Sequence, residues 1–374
     1  MDATHTYIPG LENVIAVQTR ISHIDGQGGR FIYRGYDTNE LVLNHSFEDV
    51  WHLLLYGELP TPEERHTFKA TIFDAMTLSD ETLRVIQTLP SDAPFMAALR
   101  SALSATLTGM APTIDLTQEA LLRDCIHAAA IIPAVLAATY RLSHGLPLIA
   151  PDPTLPWAVN YLWMLTGEQP TEDQIKAITR YMILVADHGL NASTFTARVV
   201  ASTGADVGAA VVAAVGALSG PLHGGAPSRV LEMLEEIGSI EQAKAWAVET
   251  IQTGGKIMGF GHRVYKTYDP RALALKETAR EMNVPLLPYA ETVERIISET
   301  FSELKPGRRI FTNVEYYSAV ALEGVGLNRA LFTPTFVAAR AVGWVSHIYE
   351  QLQNNRIMRP DAQYIGPEVR PVPA

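Results

Sequence analysis

His188, His223, His262, Arg271, Glu315 and Arg340 are the residues whose types and settings can do chemistry. His223 lies in PLHGG, where glycines let backbone or ligand approach closely and close the helices on either side. A histidine fixed at such a bend can donate a hydrogen bond to a developing oxyanion. The competing reading is a satisfied core histidine, the ordinary state of a lone one. His188, in ADHGLNAST, follows Asp187 and precedes a helix start near Asn191–Ser193, so a capping or interface role competes with ligand binding. His262 and Arg271 flank a helix start at Asp269-Pro270, with proline at the first helical position. One turn of loop brings both to the same ligand.

Glu315 sits among Val314, Tyr316 and Tyr317. If these neighbours desolvate it, its pKa rises towards that of a useful general base. An exposed acid at a helix N-terminus fits the local sequence equally well. Arg340 is the single charge between Phe332 and Ile348. A cation in so apolar a helix costs several kcal/mol unless paired, so it needs a carboxylate of the protein or an anionic ligand. The segment 254–271 carries Lys256, Arg263, Lys266 and Arg271 against Asp269, a net charge of +3. A cationic, glycine-rich turn suits phosphate or carboxylate; a solvated positive face competes. GFGHRVYKT within it lacks the glycine before lysine and the preceding strand of a P-loop. Eleven histidines form no HxxxH or HExxH pair, and no acidic run has calcium-loop spacing, so no metal is expected.

The elements that must hold these residues are helices. Ser or Thr, an acid in the first turn and an apolar stripe recur in SFEDVWHLLLYG, TPEERHTFKATIFDAM, SDETLRVIQTL, TQEALLRDCIHAAAIIPAVLAATYRLSHG and TEDQIKAITRYMILVADH. Residues 14–36, with turn glycines Gly26–Gly29, predict a small β-hairpin. No βαβ alternation and no repeat of solenoid length is present. The class is all-α with one N-terminal hairpin. Gly- and Pro-rich joints at 216–230 and 321–336 divide the chain. Residues 1–223 and 327–374 are expected to form a large helical domain, and 224–326 a small mobile one with helices near 238–253, 270–282 and 288–304.

Composition narrows the function. The 374 residues carry 29 basic and 40 acidic side chains, a net charge of −11. Such a chain repels nucleic acid and anionic membrane, and any anionic substrate needs locally clustered cations. With 47% hydrophobic and 18% charged residues, disorder is excluded. The single Cys125, in an apolar run, allows no internal disulfide, thiolate zinc site or CxxC pair and is expected in the core. MDATHTYIPGLEN has neither basic stretch nor apolar core, so no secretory leader is expected. The uncharged run 207–228, rich in Ala and Gly, predicts a packed internal helix rather than a membrane span. A cytoplasmic protein is the expectation.

GLENVIAVQTRISHIDG, FIYRGY, ADHGLNAST, PLHGGA, GFGHRVYKTYDPR, NVEYYS, RAVGWVSHIYEQ and RIMRPDAQYIGP, in that order, resemble the citrate synthase family. The likeness is to its short bacterial and archaeal type, which also includes 2-methylcitrate synthases, and it spans almost the whole chain. PLHGGA and GFGHRVYKTYDPR are its most specific stretches. The resemblance implies an all-α homodimer whose small domain closes over the substrates. It implies condensation of acetyl-CoA with oxaloacetate and hydrolysis of citryl-CoA to citrate and CoA, with no cofactor. Carried onto matching positions, Glu315 removes a methyl proton from the thioester and His223 hydrogen-bonds the thioester oxygen. His262 bonds or protonates the carbonyl under attack. His188, Arg271 and Arg340 hold oxaloacetate, and Arg359 reaches in from the partner subunit. The backbone over Lys256, Ile257, Met258, Gly259, Phe260 and Gly261 cradles CoA, with Lys256 and Lys266 near its phosphates.

Two positions depart from the family pattern. The base is Asp in NVDFYS-like sequences and Glu315 here; ADHELNAS has a glutamate where this chain has Gly189. One methylene moves a carboxylate by about 1 Å, and a shift of that size can cost on the order of 10²-fold in rate. The departures bear on rate and substrate range, not on the presence of a carboxylate. The expected function is a citrate synthase. The alternatives are a 2-methylcitrate synthase using propionyl-CoA and a catalytically weak homologue that binds oxaloacetate or CoA.

Overall fold

A computed structural model describes residues 7–224, 226–262 and 264–373. Arg263, counted above among the cations, and Gly225 of PLHGGA lie outside the described residues. The fold is mostly helical. Its helix starts follow the expected caps: Ser46 with Asp49, Thr61 with Glu64 and Thr171 with Gln174 each form a reciprocal capping box. Gly57 and Gly167 end two of the early helices in the left-handed conformation.

The N-terminal β element is smaller than residues 14–36 predict, with its turn at Gly26–Gly29 as expected. Strands β1 (Ser22–Asp25), β2 (Arg30–Tyr33) and β3 (Tyr36–Asp37) form an antiparallel sheet with Ser22 opposite Tyr33 and Ile32 opposite Asp37. Residues 14–20 are not strand. The β-branched residues there have no strand to pair with, so pairing begins only where the turn brings a partner within reach. The apolar stretch TQEALLRDCIHAAAIIPAVLAATYRLS is likewise two helices, Gln118–Ala130 and Ile132–Ser143, divided at Ile131 beside Pro133. It is long and apolar enough to cross a membrane, but 72% of its most apolar window is buried inside the fold. Val207–Leu218 is the packed internal helix expected, with Val207, Val211, Ala214 and Leu218 fully covered.

The core is organised around one long helix, Phe332–Gln353, buried along almost its whole length through Ile348. Such a helix is apolar all round because it has neighbours all round. It packs against Phe47–Tyr56, Gln118–Ala130, Glu172–Val185, Ala192–Ser202 and Val207–Leu218. Cys125 is buried among them. A second group of helices follows in sequence: Ala226–Ile237, Ile240–Thr253, Pro270–Glu281, Leu287–Leu304 and Val314–Val325. Val314–Val325 packs on Pro270–Glu281 and on Ala226–Ile237, and Ile240–Thr253 packs on Leu287–Leu304. Val314–Val325 also contacts Glu172–Val185 of the first group, as does Pro270–Glu281. The ends of these helices supply the site.

Candidate active site

A cavity of about 830 Å³ is lined by His188, His223, His262, Arg271, Glu315 and Arg340. Six residues spread over more than 150 positions of sequence therefore face one space. His188 follows the helix Glu172–Val185, and His223 sits in the turn after Val207–Leu218. His262 lies in the loop before Pro270–Glu281, where Arg271 occupies the first turn. Glu315 is in the first turn of Val314–Val325, and Arg340 is on the central helix. Apolar Ile24, Tyr181, Val185, Phe195 and Phe336 complete much of the wall.

Glu315 owes its place to Asn313, whose side chain caps the helix by accepting the Glu315 N–H at 3.0 Å. Burial pushes the Glu315 carboxyl up to about 7, against the opposing pull of Arg271 and Lys256 and with a small push from Asp269. This is the desolvated alternative of the two local readings. A carboxylate so tuned can accept a proton near neutral pH.

The three histidines are held neutral. Burial, then the field of the arginines, lowers His223 and His262 to about 4 and His188 well below its ordinary value. Their hydrogen bonds assign the remaining proton. His262 Nδ1 accepts the backbone N–H groups of Val264 and Tyr265 at 3.0 and 3.1 Å. Its ring proton is therefore on Nε2. His223 Nε2 faces the Ser193 amide at 3.3 Å and its hydroxyl at 2.8 Å. An amide N–H can only donate, so Nε2 accepts and Nδ1 carries the proton. Ser193 Oγ itself accepts from Trp344 Nε1 at 3.0 Å. His188 meets Tyr265 Oη at 3.4 Å and stands edge-on to His262 with ring centroids 5.3 Å apart. Each ring can thus donate one hydrogen bond to a negative oxygen without a positive charge of its own.

The two arginines differ. Arg271 is forked onto Asp269, Nε to Oδ1 at 3.0 Å and Nη2 to Oδ2 at 2.8 Å. Burial pulls its pKa down, but the Asp269 contact outweighs it and the group is held above its ordinary value. Asp269 Oδ2 also accepts the Val314 N–H at 3.0 Å, tying Arg271 to the start of the Glu315 helix. Arg340 has no carboxylate within 4 Å among the described residues. Its Nε donates to the Val185 carbonyl at 2.7 Å and its guanidinium lies over the Phe336 ring at 4.6 Å. Burial draws its pKa down to about 10, with Asp187 and Tyr33 pulling the other way. It is the buried cation that wants an anionic ligand.

The stretch Lys256, Ile257, Met258, Gly259, Phe260 and Gly261 is not in the wall of this cavity. It is pinned to residues 311–313 instead: Gly261 N–H to Phe311 O, Asn313 N–H to Gly259 O, and Asn313 Nδ2 to Gly261 O. Ile257 and Phe260 turn their side chains into the core, while Lys256 and Lys266 are exposed. Gly259 has φ +75°, and a Cβ there would meet Tyr316 and Val230 side chains at 2.9 Å. Gly259→Ala should therefore cost about 1–3 kcal/mol, seen as a lower melting temperature; an unchanged one would mean that the loop gives way freely.

Arg359 is elsewhere. It is 77% exposed on its side chain, near Asp361, in the wall of a second cavity of about 960 Å³ with Arg20, Arg34 and Arg356. Among the described residues no three His, Cys, Asp or Glu side chains are grouped to hold a metal ion. Asp269, Ser193, Asn313 and Asp187 escaped the sequence reading as site residues. Asp187 adjoins His188 and Asp269 lies two residues before Arg271, and both are buried.

A family model described as "Citrate synthase, C-terminal domain" matches residues 10–361. The citrate synthase of Heyndrickxia coagulans is 36% identical over 369 residues, covering 97% of each chain. A Bacillus subtilis protein named citrate/2-methylcitrate synthase is 36% identical, covering 98% of each. The citrate synthase of Thermoplasma acidophilum, solved as a ternary complex with carboxymethyl coenzyme A and oxaloacetate, superposes with a TM-score of 0.89 at 29% identity, covering 97% of each chain.

Proposed function

The chain belongs to the citrate synthase family, and we propose that it condenses acetyl-CoA with oxaloacetate and hydrolyses the product thioester, with Glu315 as the base. The observation that carries this is the convergence of a carboxyl raised to about 7, three neutral histidines and two buried arginines on one cavity. The thioester's methyl proton is a weak acid, so removal by Glu315 needs simultaneous stabilisation of the oxygen that gains charge. His223, with its proton on Nδ1, supplies that hydrogen bond. The enolic carbon then attacks the oxaloacetate carbonyl, whose oxygen takes a hydrogen bond or proton from His262 Nε2–H. Arg340 and Arg271 meet the carboxylates of oxaloacetate. Water then cleaves the citryl thioester, releasing CoA. Neutral rings suit these donors, because an imidazolium would hold the enolate too firmly to react onward.

The lobe of residues 224–326 is the part that closes, with the glycines around His223 as its hinge; closure excludes water from the thioester. A second copy of the chain completes the site with Arg359. This reading is supported by the absence of Arg359 from the wall of its own chain's cavity and by exposed apolar side chains near both ends, such as Ile15 at 89% and Ile365 at 90%. CoA lies along Lys256–Gly261, with the exposed Lys256 and Lys266 near its phosphates.

Acetyl-CoA is the preferred acyl donor. A second reading, 2-methylcitrate synthesis from propionyl-CoA, draws support from the name of the Bacillus subtilis relative and from the apolar wall of Tyr181, Val185 and Phe336. One methylene is worth only about 1–3 kcal/mol in such a pocket. With both thioesters present at equal concentration, mass spectrometry should find citrate in excess over 2-methylcitrate; the reverse ratio overturns the acetyl preference.

The pH dependence is set by Glu315, since the histidines at about 4 stay neutral above pH 5. Below pH 7 the base is protonated and log kcat should climb about one unit per pH unit, flattening above 7. A profile flat down to pH 5 would show a base with an ordinary carboxylate pKa.

A further inference from the structure

One face of the central helix reads three successive residues of the turn that carries His188. Arg340 Nε donates to Val185 O at 2.7 Å. Gly343, one turn on, lies so close that a Cβ there would meet Ala186 O at 2.3 Å and Asp187 Oδ1 at 2.9 Å. His347, a turn further, contacts Asp187 Oδ1 through Nε2 at 3.1 Å. Beyond it, Arg198 Nε donates to His347 Nδ1 at 3.0 Å, Arg198 Nη1 to Gln351 Oε1 at 3.1 Å, and Arg198 Nη2 to Glu350. Glu350 also accepts the Arg20 N–H at 2.8 Å, and Ser22 of β1 donates to Asp187 Oδ2.

The direction of every hydrogen bond in this chain is fixed. Arginine has donors only, so His347 Nδ1 accepts and Nε2 carries the proton that Asp187 Oδ1 receives. The Gly189 N–H donates to Asp187 Oδ2 at 2.9 Å. Both carboxylate oxygens therefore face an N–H that cannot reverse, and an amide at 187 would turn its NH₂ against one of them. Asp187 must be a carboxylate. Burial opposes this charge, but His347 and Arg340 prevail and hold it at about 2.

We propose that Asp187, His347 and Arg198 are positioning residues that hold His188 and Arg340 in register for oxaloacetate. None is needed to touch substrate. The relay lets a fully buried carboxylate, on either side of which lie residues of the cavity, be aligned from the opposite end of the central helix. Such alignment matters because a shift of about 1 Å in a binding group can cost on the order of 10²-fold.

This proposal rests on oxaloacetate being the ligand of His188 and Arg340. The test is the steady-state KM for each substrate in Asp187→Asn, His347→Leu and His347→Gln, with oxaloacetate-induced thermal shift measured on the same preparations. Asp187→Asn and His347→Leu should raise the oxaloacetate KM about tenfold or more, with the acyl-CoA KM little changed. His347→Gln, whose amide can still accept from Arg198 and donate to Asp187, should lie nearer the wild type. Should the first two not fold, Gly343→Ala perturbs the same register and reads the same quantity. Variants that melt earlier yet keep the wild-type oxaloacetate KM and thermal shift overturn the relay, leaving it a purely structural feature. Absence of any oxaloacetate response in the wild type would instead overturn the functional reading, and the relay's purpose with it.

Discussion

Glu315→Gln is expected to abolish turnover while leaving oxaloacetate binding intact. A positioned base contributes typically 10²–10⁴-fold, and the amide keeps the shape and the Asn313 cap contact while losing the lone pair that takes the proton. The same substitution should stabilise the fold at alkaline pH. In the folded chain Glu315 titrates at about 7, above its ordinary 4.5, so between those values the folded state holds a proton that the unfolded chain has released. Stability from this group is present below pH 4.5 and lost as the pH rises through 7, a loss of up to about 3 kcal/mol. Glutamine removes that loss. The melting temperature of the variant should exceed the wild type's at pH 8 and match it at pH 4. Activity near the wild-type level would refute the base, and a lower melting temperature at pH 8 would refute the desolvated carboxyl.

Arg340→Gln carries the second large effect. Arg340 is a buried cation with a carbonyl and a ring beneath it but no carboxylate at ion-pair distance among the described residues. An anionic ligand that pairs with it gains what the protein alone does not supply. Losing one partner of such a desolvated pair costs about 2–5 kcal/mol, so oxaloacetate affinity should fall about 30-fold to several thousand-fold. The unliganded fold should gain stability, because burial without a close counter-charge works against the cation at every pH below about 10. Calorimetric titration with oxaloacetate and melting of the free protein check the two halves together. Unchanged affinity would place the dicarboxylate elsewhere.

Much of this was legible in the sequence. Caps such as Ser46, Thr61 and Thr171 act within a few residues, and so local pattern found them. Arg340 was legible because a lone charge in an apolar helix demands a partner. Glu315 was not decided by its neighbours. Whether Tyr316 and Tyr317 desolvate it depends on the helices 226–237 and 270–281 packing over its own, which no local window contains. The hairpin and its Gly26–Gly29 turn were legible, but its extent over residues 14–20 was not, because β-branched residues mark a strand only where a partner strand exists. Asp187 and His347 are 160 residues apart; neither residue alone signals a relay, and the resemblance to citrate synthases pointed only at His188 beside them. The net charge of −11 was equally uninformative about the site. It averages over a surface, whereas the arginines that matter are inside.

Glu315 is proposed as the base of a working synthase, and the other roles in the cavity depend on it. Release of free CoA thiol by the purified protein tests it most directly. The expected result is thiol release from acetyl-CoA that requires oxaloacetate and grows with pH up to about 7. Oxaloacetate-induced thermal stabilisation without thiol release from acetyl-CoA or propionyl-CoA would contradict it and leave a binding protein in place of an enzyme.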